Sequence, residues 1–589
     1  MSNGVLAKAA QPRLVEIDLE LAAMLDRVRT IAMGEVLGDA EFGELVAIYN
    51  NLSYLFLYLE SNSAHVDWRP VAHWKPAFYA DAVLNAALTH RLSKARFDDC
   101  SAERVRAAYL EFFDAKAKGS GNEDQGEREA ALDQAHRVLA QLEVDQSELL
   151  ARLGASGGGP PAVRFYNLIS TVRSATTRAK LSKTWSLLRD RRAPALEAAV
   201  DRLVGLRRER SRGRGFKHPL AESLQRSHLN AEQVEAFIAD YLRRALQAQE
   251  QLDREVAERL GLADEPMQHF EYFVRQVQDG ARIPLFQLDR CLEFAFDVAK
   301  AAFGLEFVRA PRTSAHVIRV DVRQQGRPCG MINFDLWDQL LAPKAANTTL
   351  SLRNRMDWAG RLQLPIAYVS CRFKRRDEQG SAITFQNVHS LFHEFGHAIN
   401  HILISRVLPS ESGLEYLPLE RLETLSMWFE RWVFHPRFAA SVAPSTPQVL
   451  ASIAVAQAIK RLEYRRTHVD RAVTAALDFE VGRSDASVRE AFASLDDRFG
   501  ISRQCAVEEF LGSFTLPMLE ANSGGYFAYL WGAADSAEKF APWRSDAPGT
   551  WPSEDNARQM FAGCFDFDAP SAAPAAESAF AFYDHNKAA

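Results

Sequence analysis

Apolar residues recur at spacings of three and four over long stretches of this chain of 589 residues. The clearest stretches are residues 21–37, 230–260 and 448–477. This spacing places the apolar side chains on one face of an α-helix. Ala, Leu, Glu, Arg and Gln, which favour helices, dominate these stretches. The pattern predicts a mainly α fold.

Strand signals are confined to residues from about 315 to 375. The run HVIRVDVRQQGRPCGMINFDLW, residues 316–337, alternates apolar and polar residues on both sides of a turn containing Gly326 and Pro328. The run LPIAYVSCRFK, residues 364–374, predicts a third strand. We therefore expect a small β-sheet just before residue 385, in a chain that is otherwise helical.

The segment FHEFGHAIN, residues 392–400, places two histidines four residues apart on a predicted helix. Residues four apart project from one helix face, so His393 and His397 can bind a single metal ion. Glu394 is rotated by about 100° from His393, which leaves it beside such an ion as a base for water. This arrangement is the HExxH motif of zinc hydrolases, and zinc is the metal that it predicts.

A catalytic zinc ion usually has three protein ligands, so a further ligand is expected elsewhere. The run PLERLETLSMWFERW, residues 418–432, predicts a second amphipathic helix with three carboxylates. Glu420, Glu423 and Glu430 are all candidates, and spacing alone does not choose among them.

A family resemblance does choose. HEFGH followed by Glu423-x-x-Ser426-x-x-x-Glu430-x-Trp432 resembles the thimet oligopeptidase group of zinc metallopeptidases, the M3 family. The resemblance implies that Glu423 is the third zinc ligand and that Glu430 belongs to a supporting network. The runs GMINFDLW (330–337), LPIAYVSCRF (364–373) and GGYFAYLW (524–531) are also similar to segments of that family.

The resemblance implies two helical lobes flanking a deep central channel, with one zinc ion per chain near its floor. It implies a zinc-dependent endopeptidase that hydrolyses peptide bonds in short peptides, with zinc-activated water and Glu394 as general base. Tyr526 and Tyr529 match two tyrosines of a family loop that closes over substrate, so they are candidates to stabilise the oxyanion. Core packing beside Trp531 is the alternative for both.

The break GASGGGPP at 154–161 combines glycines and prolines and marks a long loop or a seam. We predict an N-terminal helical region at 1–153, a helical lobe at 162–310 and a catalytic region at 311–589. The three are expected to intertwine as one peptidase unit.

Several departures from the family pattern concern the substrate side. The run LPMLEANSGGY lacks the family's histidine before the tyrosines, and WDQLLAPKAAN replaces an arginine-bearing segment. His389 occupies a position where the family commonly has a carboxylate. Two alternatives follow: a dedicated zinc hydrolase that matures one narrow substrate, and a non-catalytic peptide-binding protein. His389 and His401 continue the four-residue spacing of His393 and His397 and form a histidine ladder with them. We consider three roles for these two residues: a second metal site, a proton relay, or a row of histidines on a partly wet cleft face.

Composition restricts the partners. The net charge is −6 with both signs mixed along the chain, which argues against a nucleic-acid partner. No run of 18 apolar residues and no secretory leader is recognisable, so we expect no membrane contact and a cytoplasmic location. The six cysteines are scattered without a CxxC pair and are expected to be reduced thiols. The sequence does not determine the oligomeric state.

Overall fold

Helices dominate the computed structural model of this chain. It describes residues 3–61, 67–117, 122–155, 159–225, 227–262, 266–278, 281–310, 317–338, 346–375, 381–443, 446–503, 508, 524–545, 551–568 and 572–584. The helices before the sheet are α1 (Asn3–Met33), α2 (Asp39–Ser61), α3 (Trp74–Tyr79), α4 (Ala82–Lys94), α5 (Cys100–Ala117), α6 (Asn122–Arg152), α7 (Pro161–Thr171), α8 (Ala175–Gly213), α9 (Pro219–Leu224), α10 (Ala231–Leu260), α11 (Phe270–Gln278) and α12 (Leu288–Phe303). Those after it are α13 (Phe385–Leu403), α14 (Thr424–Arg431), α15 (Pro436–Val442), α16 (Pro447–Arg483), α17 (Val488–Phe499), α18 (Phe527–Phe540), α19 (Glu554–Met560), α20 (Ala562–Phe565) and α21 (Ala576–Asp584).

A five-stranded sheet lies next to α13 in sequence and in space. The described strands are β1 (Phe286–Gln287), β2 (Leu305–Arg309), β3 (Val317–Gln324), β4 (Arg327–Trp337), β5 (Thr348–Arg353), β6 (Met356–Trp358), β7 (Arg361–Gln363), β8 (Ile366–Phe373) and β9 (Ala382–Ile383). Strand β1 pairs with β9, and β6 pairs with β7, as separate two-stranded sheets, and the other five strands form the larger sheet. The sheet order is β2-β3-β4-β8-β5. Strands β4 and β8 pair in parallel, whereas the other neighbours in this sheet are antiparallel.

Three large hydrophobic cores organise the described residues. One is built by α1 to α5, with Met356 and Leu408 added from far along the chain. A second joins the sheet to α12, α13 and α14, and a third joins α8, α10, α16 and α18. Helices α14 and α18 contribute side chains to both of the last two cores.

The prediction of a mainly α fold with a small sheet beside the HExxH helix is confirmed. Two strands of the sheet, β2 and β5, were not predicted, and Pro328 lies inside β4 instead of in the turn. Gly326 does occupy the turn, with a φ of 75° that suits glycine. The region boundaries at 1–153, 162–310 and 311–589 stay a prediction, because the cores combine segments from distant parts of the chain.

None of the described helices combines the length and the apolar character needed to cross a membrane.

Candidate metal centre

Helix α13 carries both histidines of the motif. Thr384 precedes its first residue and caps it, because the Thr384 hydroxyl oxygen accepts a hydrogen bond from the backbone N–H of Asn387, 3.2 Å away. The four-residue spacing brings the rings of His393 and His397 to 4.9 Å between centroids, with an interplanar angle of 83°. The helix therefore presents two imidazoles to one point.

Helix α14 approaches α13 closely because residue 396, inside HEFGH, is a glycine. A Cβ atom at Gly396 would lie 2.5 Å from the Cα of Ser426, much closer than van der Waals contact allows. The missing side chain lets the backbone of the second helix pass directly over the first. This approach brings the carboxylate before α14 within reach of the histidines.

Glu423 is the carboxylate that meets them. Its Oε2 lies 3.4 Å from the Nε2 of His393 and 3.4 Å from the Nε2 of His397. The hydroxyl of Ser426 donates a hydrogen bond of 2.9 Å to the same oxygen and fixes its direction. Glu423 precedes the first residue of α14 and is 3% exposed.

The other two candidate carboxylates have different partners. Glu420 lies in a short 3₁₀ turn and accepts hydrogen bonds from the Ser227 hydroxyl and the His228 backbone N–H. Glu430 lies near the end of α14, and its Oε2 is 3.1 Å from the Nδ1 of His393. The carboxylate thereby fixes the ring so that Nε2 points toward Glu423. The Tyr464 hydroxyl donates a 2.9 Å bond to the remaining oxygen of Glu430.

The pKa values of these groups show strong coupling. Burial alone would lower the pKa of His393, but the hydrogen bond with Glu430 and the charge of Glu423 raise it to about 9. Burial alone would raise the pKa of Glu423, but the two histidines and Ser426 lower it to about 2. The pocket therefore holds a carboxylate together with a cation, in this case a proton on imidazole. A divalent metal ion can replace that proton.

The chemistry of the donors fits zinc. The nitrogen and oxygen donors of His393, His397 and Glu423 all lie within 4.8 Å of one another. Within the described ranges, this is the only group of three or more His, Cys, Asp or Glu side chains that converges in this way. Two imidazoles and one carboxylate form a ligand set that leaves a further position open in a tetrahedral zinc site.

Glu394 is held by the edge strand of the sheet. The hydroxyl of Thr349 in β5 lies 2.9 Å from the Oε2 of Glu394 and 2.9 Å from its backbone oxygen. Glu394 itself is only 5% exposed. The strand thus restricts the carboxylate that follows the first histidine.

Helix α18 brings the two predicted tyrosines to the same place. The rings of Tyr526 and Tyr529 pack at 4.8 Å between centroids with an interplanar angle of 45°, at and just after the start of the helix. The charge of Glu423, followed by burial, raises the pKa of Tyr529, so its hydroxyl lies within electrostatic reach of that carboxylate. Of the sequence before these tyrosines, residues 509–523 lie outside the described residues, so Ser523 and the departure from the family histidine do too.

The start of α18 is fixed by a buried carboxylate of α16. The backbone N–H of Tyr526 donates a 2.9 Å hydrogen bond to the Oδ2 of Asp478, and the N–H of Gly524 donates to the same group. Gly524 adopts a φ of 81°, which favours glycine. These hydrogen bonds therefore fix the backbone position of the helix end that carries the tyrosines.

The remaining two histidines of the ladder, His389 and His401, are buried and do not line a solvent-exposed surface. His389 lies 3.0 Å from the hydroxyl of Tyr464, and His401 lies 3.0 Å from the backbone oxygen of Arg353. Burial lowers the pKa of His389 to about 3 and that of His401 to about 4. The prediction of a partly wet cleft face is therefore wrong for both residues. Neither joins a second metal cluster among the residues that the structure describes.

Three contributors to this site were not predicted from the sequence. Thr349 comes from a strand that was not predicted, while Asp478 and Gly532 lie inside ordinary helical patterns. Gly532 packs against Glu423, as Gly396 packs against Ser426. A glycine inside an amphipathic helix is the one hint of such close packing that a sequence can give.

Comparison with known proteins agrees with the site. The sequence profile of Peptidase family M3 matches residues 168–546, which is more than half of the chain. Oligopeptidase A of Salmonella typhimurium (strain LT2) is 24% identical over 379 residues, covering 58% of this chain and 54% of that protein. A probable cytosolic oligopeptidase A of Arabidopsis thaliana is 25% identical over 278 residues, covering 44% of this chain and 40% of that protein. The chain thus spans about half the length of the curated relatives that it matches.

A solved structure assigned as an oligoendopeptidase F has a related fold. It superposes with a TM-score of 0.57 at 11% identity, covering 96% of this chain and 95% of the other. This likeness concerns the fold alone. The family match at residues 168–546 contains the HEFGH helix, the Glu423 segment and the tyrosines. The relatives described above are identical at about one quarter of the aligned positions. The chain belongs to Peptidase family M3, as a divergent member.

Proposed function

We propose that this chain is a zinc-dependent endopeptidase that hydrolyses peptide bonds in short peptides. The observation that carries the proposal is the convergence of His393, His397 and Glu423, with donor atoms within 4.8 Å of one another. Glu394 directly follows the first of these residues on α13. The names of the relatives, which are oligopeptidases, support short peptides as the substrate class.

In this proposal His393, His397 and Glu423 hold one zinc ion per chain. When bound, zinc supplies Lewis acidity, which lowers the pKa of a water molecule and polarises the scissile carbonyl. Glu394 accepts the proton of the attacking water and then gives it to the leaving amine. Thr349 holds the Glu394 carboxylate during both transfers, and Glu430 keeps the His393 ring in its orientation.

Tyr529 is the better placed of the two tyrosines to donate to the oxyanion. The charge of Glu423, and to a smaller extent that of Glu394, raises the pKa of its phenol, which supports a position on the reacting side. A single donor at a developing oxyanion contributes about 3 kcal/mol in enzymes of known mechanism. Tyr526 packs against the Tyr529 ring and orients it.

The test combines metal analysis with a peptide digest. The purified full-length chain is analysed for zinc, then incubated with a mixture of short peptides whose products are read by mass spectrometry. We expect one zinc ion per chain and internal cleavages in the wild type. In Glu394→Gln the zinc should remain while the cleavages disappear.

A control variant separates loss of the base from a general disturbance. Glu415 accepts a hydrogen bond from the Asn354 amide and does not belong to the group of metal donors, so Glu415→Gln should keep both zinc and cleavage. Cleavage that persists in Glu394→Gln would refute the mechanism. A zinc-loaded wild type that leaves every peptide intact would refute broad oligopeptidase activity, and a chain without zinc would refute the metal assignment.

A further inference from the structure

Arg471 is a cation beside the metal centre for which the proposed chemistry has no role. It lies on α16 and is half-buried, with its guanidinium carbon 5.3 Å from the centre of the Tyr464 ring. The hydroxyl of Tyr464 donates to Glu430, which in turn contacts His393. A short series of contacts therefore links Arg471 to the first metal-binding histidine.

Arg471 also lies on the tyrosine side of the centre. Burial raises the pKa of Tyr526, and the positive charge of Arg471 is the largest effect that opposes this shift. The same charge opposes the raised pKa of Tyr529. The guanidinium is thus within electrostatic reach of both candidate oxyanion donors.

No described carboxylate forms an ion pair with Arg471. Two other arginines of α16 are paired, Arg465 with Glu255 at 2.8 Å and Arg466 with Glu271 at 2.6 Å. The charge of Glu430 acts on the Arg471 guanidinium without forming an ion pair, and this carboxylate already bonds to His393 and Tyr464. Among the described residues, Arg471 contacts the ring of Tyr464, and Tyr526 and Tyr241 also act on its charge.

A partly buried cation that pairs with no carboxylate of the described residues is unusual. Removing a charge from water is costly, and proteins normally offset that cost with an opposite charge or with hydrogen bonds. A guanidinium presents several N–H donors in a planar fork that matches the two oxygens of a carboxylate. A peptide substrate contains such groups in acidic side chains and at its C-terminus.

We propose that Arg471 binds a carboxylate of the peptide substrate, so that the site selects peptides carrying a negative charge on the tyrosine side of the scissile bond. The inference rests on the proposed peptidase function and adds the substrate class to it. The substrate carboxylate forms with Arg471 the ion pair that none of the described carboxylates forms, and it anchors the peptide beside Tyr526 and Tyr529.

The experiment uses pairs of short peptides that differ in one charge. In the first arm, an alanine- and phenylalanine-based peptide carries glutamate or glutamine at each position in turn. In the second arm, the same peptide ends in a free acid or in an amide. We measure kcat/KM of the wild type for each pair, and we measure binding of the same peptides to zinc-loaded Glu394→Gln by competition.

Charge-assisted hydrogen bonds predict a preference of at least about tenfold for the acidic member of one pair. Arg471→Met should bring that acid-to-neutral ratio to about one, while Arg471→Lys should retain part of it. The arm in which the ratio appears identifies the source of the carboxylate. Because a ratio is measured, any general loss of activity in the variants cancels.

Arg489→Met provides the matched control. Arg489 lies on α17, is half exposed and pairs with Glu197, so its loss changes the net charge equally but away from the centre. The acid-to-neutral ratio of this control should equal that of the wild type. A control that loses the preference as Arg471→Met does would overturn the assignment.

Two further outcomes also overturn the inference. One is a wild type that cleaves or binds both members of every pair equally, and the other is a preference that survives in Arg471→Met. Failure of the peptidase function looks different, because zinc-loaded wild type would then cleave neither member of any pair. In that case the binding ratios of Glu394→Gln still decide whether Arg471 recognises a carboxylate.

Discussion

Gly532 of α18 packs directly on Glu423. A Cβ atom at position 532 would lie 2.5 Å from the Cβ of Glu423 and 2.9 Å from its carbonyl carbon. The helix that carries the two tyrosines therefore also supports the back of the proposed third ligand. Metal binding and the tyrosines share one structural element.

Gly532→Ala should weaken zinc binding. The added methyl group must displace either α18 or Glu423, and the loss of such a supporting contact typically reduces metal affinity about 10- to 100-fold. The measurement is the zinc dissociation constant in competition with a chromogenic chelator. Gly205→Ala is the control, because no atom lies within 4 Å of a Cβ at that position of α8. Equal zinc affinity in the wild type and Gly532→Ala would contradict the close packing.

Glu423→Gln and Glu420→Gln should differ in metal content. Glu423→Gln replaces an anionic zinc donor by a neutral amide. Its zinc affinity should therefore fall by more than that of a variant, such as Gly532→Ala, in which only a group that supports a ligand is changed. Glu420→Gln should keep one zinc ion per chain and lose about 1–3 kcal/mol of unfolding free energy, because its carboxylate bonds to Ser227 and His228. Zinc per chain after gel filtration and denaturant unfolding measure the two effects. Zinc loss in Glu420→Gln alone would reverse the assignment of the third ligand.

Thr349→Val should lower kcat about tenfold with zinc content unchanged. The variant keeps a β-branched side chain in β5 but removes the hydroxyl beside the Glu394 carboxylate, a hydrogen bond to a charged group. Thr349→Ser keeps the hydroxyl and should remain close to the wild type. Steady-state kinetics at fixed pH give the comparison, and similar rates in the two variants would show that the hydroxyl does not act on the base.

Asp478→Asn should change the pH dependence of stability. Burial raises the pKa of Asp478 from 3.8 to about 6, although the N–H groups of Gly524 and Tyr526 oppose the shift. The folded state therefore holds this proton more tightly than the unfolded state does. The stabilisation from protonation is complete below pH 3.8 and is lost as the pH rises through about 6.

The difference between the pKa of Asp478 in the unfolded and the folded state corresponds to about 3 kcal/mol of unfolding free energy. Asparagine cannot ionise, so the unfolding free energy of Asp478→Asn should improve relative to the wild type by up to that amount between pH about 4 and about 7. Unfolding of both proteins in denaturant across this range provides the measurement. A difference that is constant with pH would mean that the carboxyl group titrates at its ordinary value.

The HExxH helix could be predicted because its information is local. Val388, Leu391 and Phe395 have helical spacing, and all three are fully buried on α13. The spacing of His393 and His397 fixes their relative direction once the helix exists. The short sequence therefore specifies both the element and the two donors that it presents.

The third donor could not be chosen in this way. Residues 418–432 have a continuous amphipathic pattern, yet the structure has a 3₁₀ turn at Leu419–Arg421 before α14 begins at Thr424. The turn directs Glu420 toward Ser227, while Glu423 lies just before α14, beside the histidines. Which way each carboxylate points depends on the close passage of α14 over Gly396, which is a contact between separate segments.

The edge of the sheet was missed for a related reason. Strand β5 has six residues, and its position is fixed by antiparallel pairing with β8, which lies further along the chain. Its register with β8 places Thr349 opposite Val369 at the edge of the sheet. A sequence pattern read locally contains no information on that pairing, so Thr349 gave no signal.

The contribution of α14 and α18 to two hydrophobic cores has a consequence for heat inactivation. A centre assembled across two cores keeps its geometry only while both are folded. Activity should therefore vanish at the melting temperature of the less stable core, even if the other still gives a full helical signal. An enzyme assay during heating would report the melting temperature of the less stable core. A substitution that stabilises the more stable core should leave the inactivation temperature unchanged.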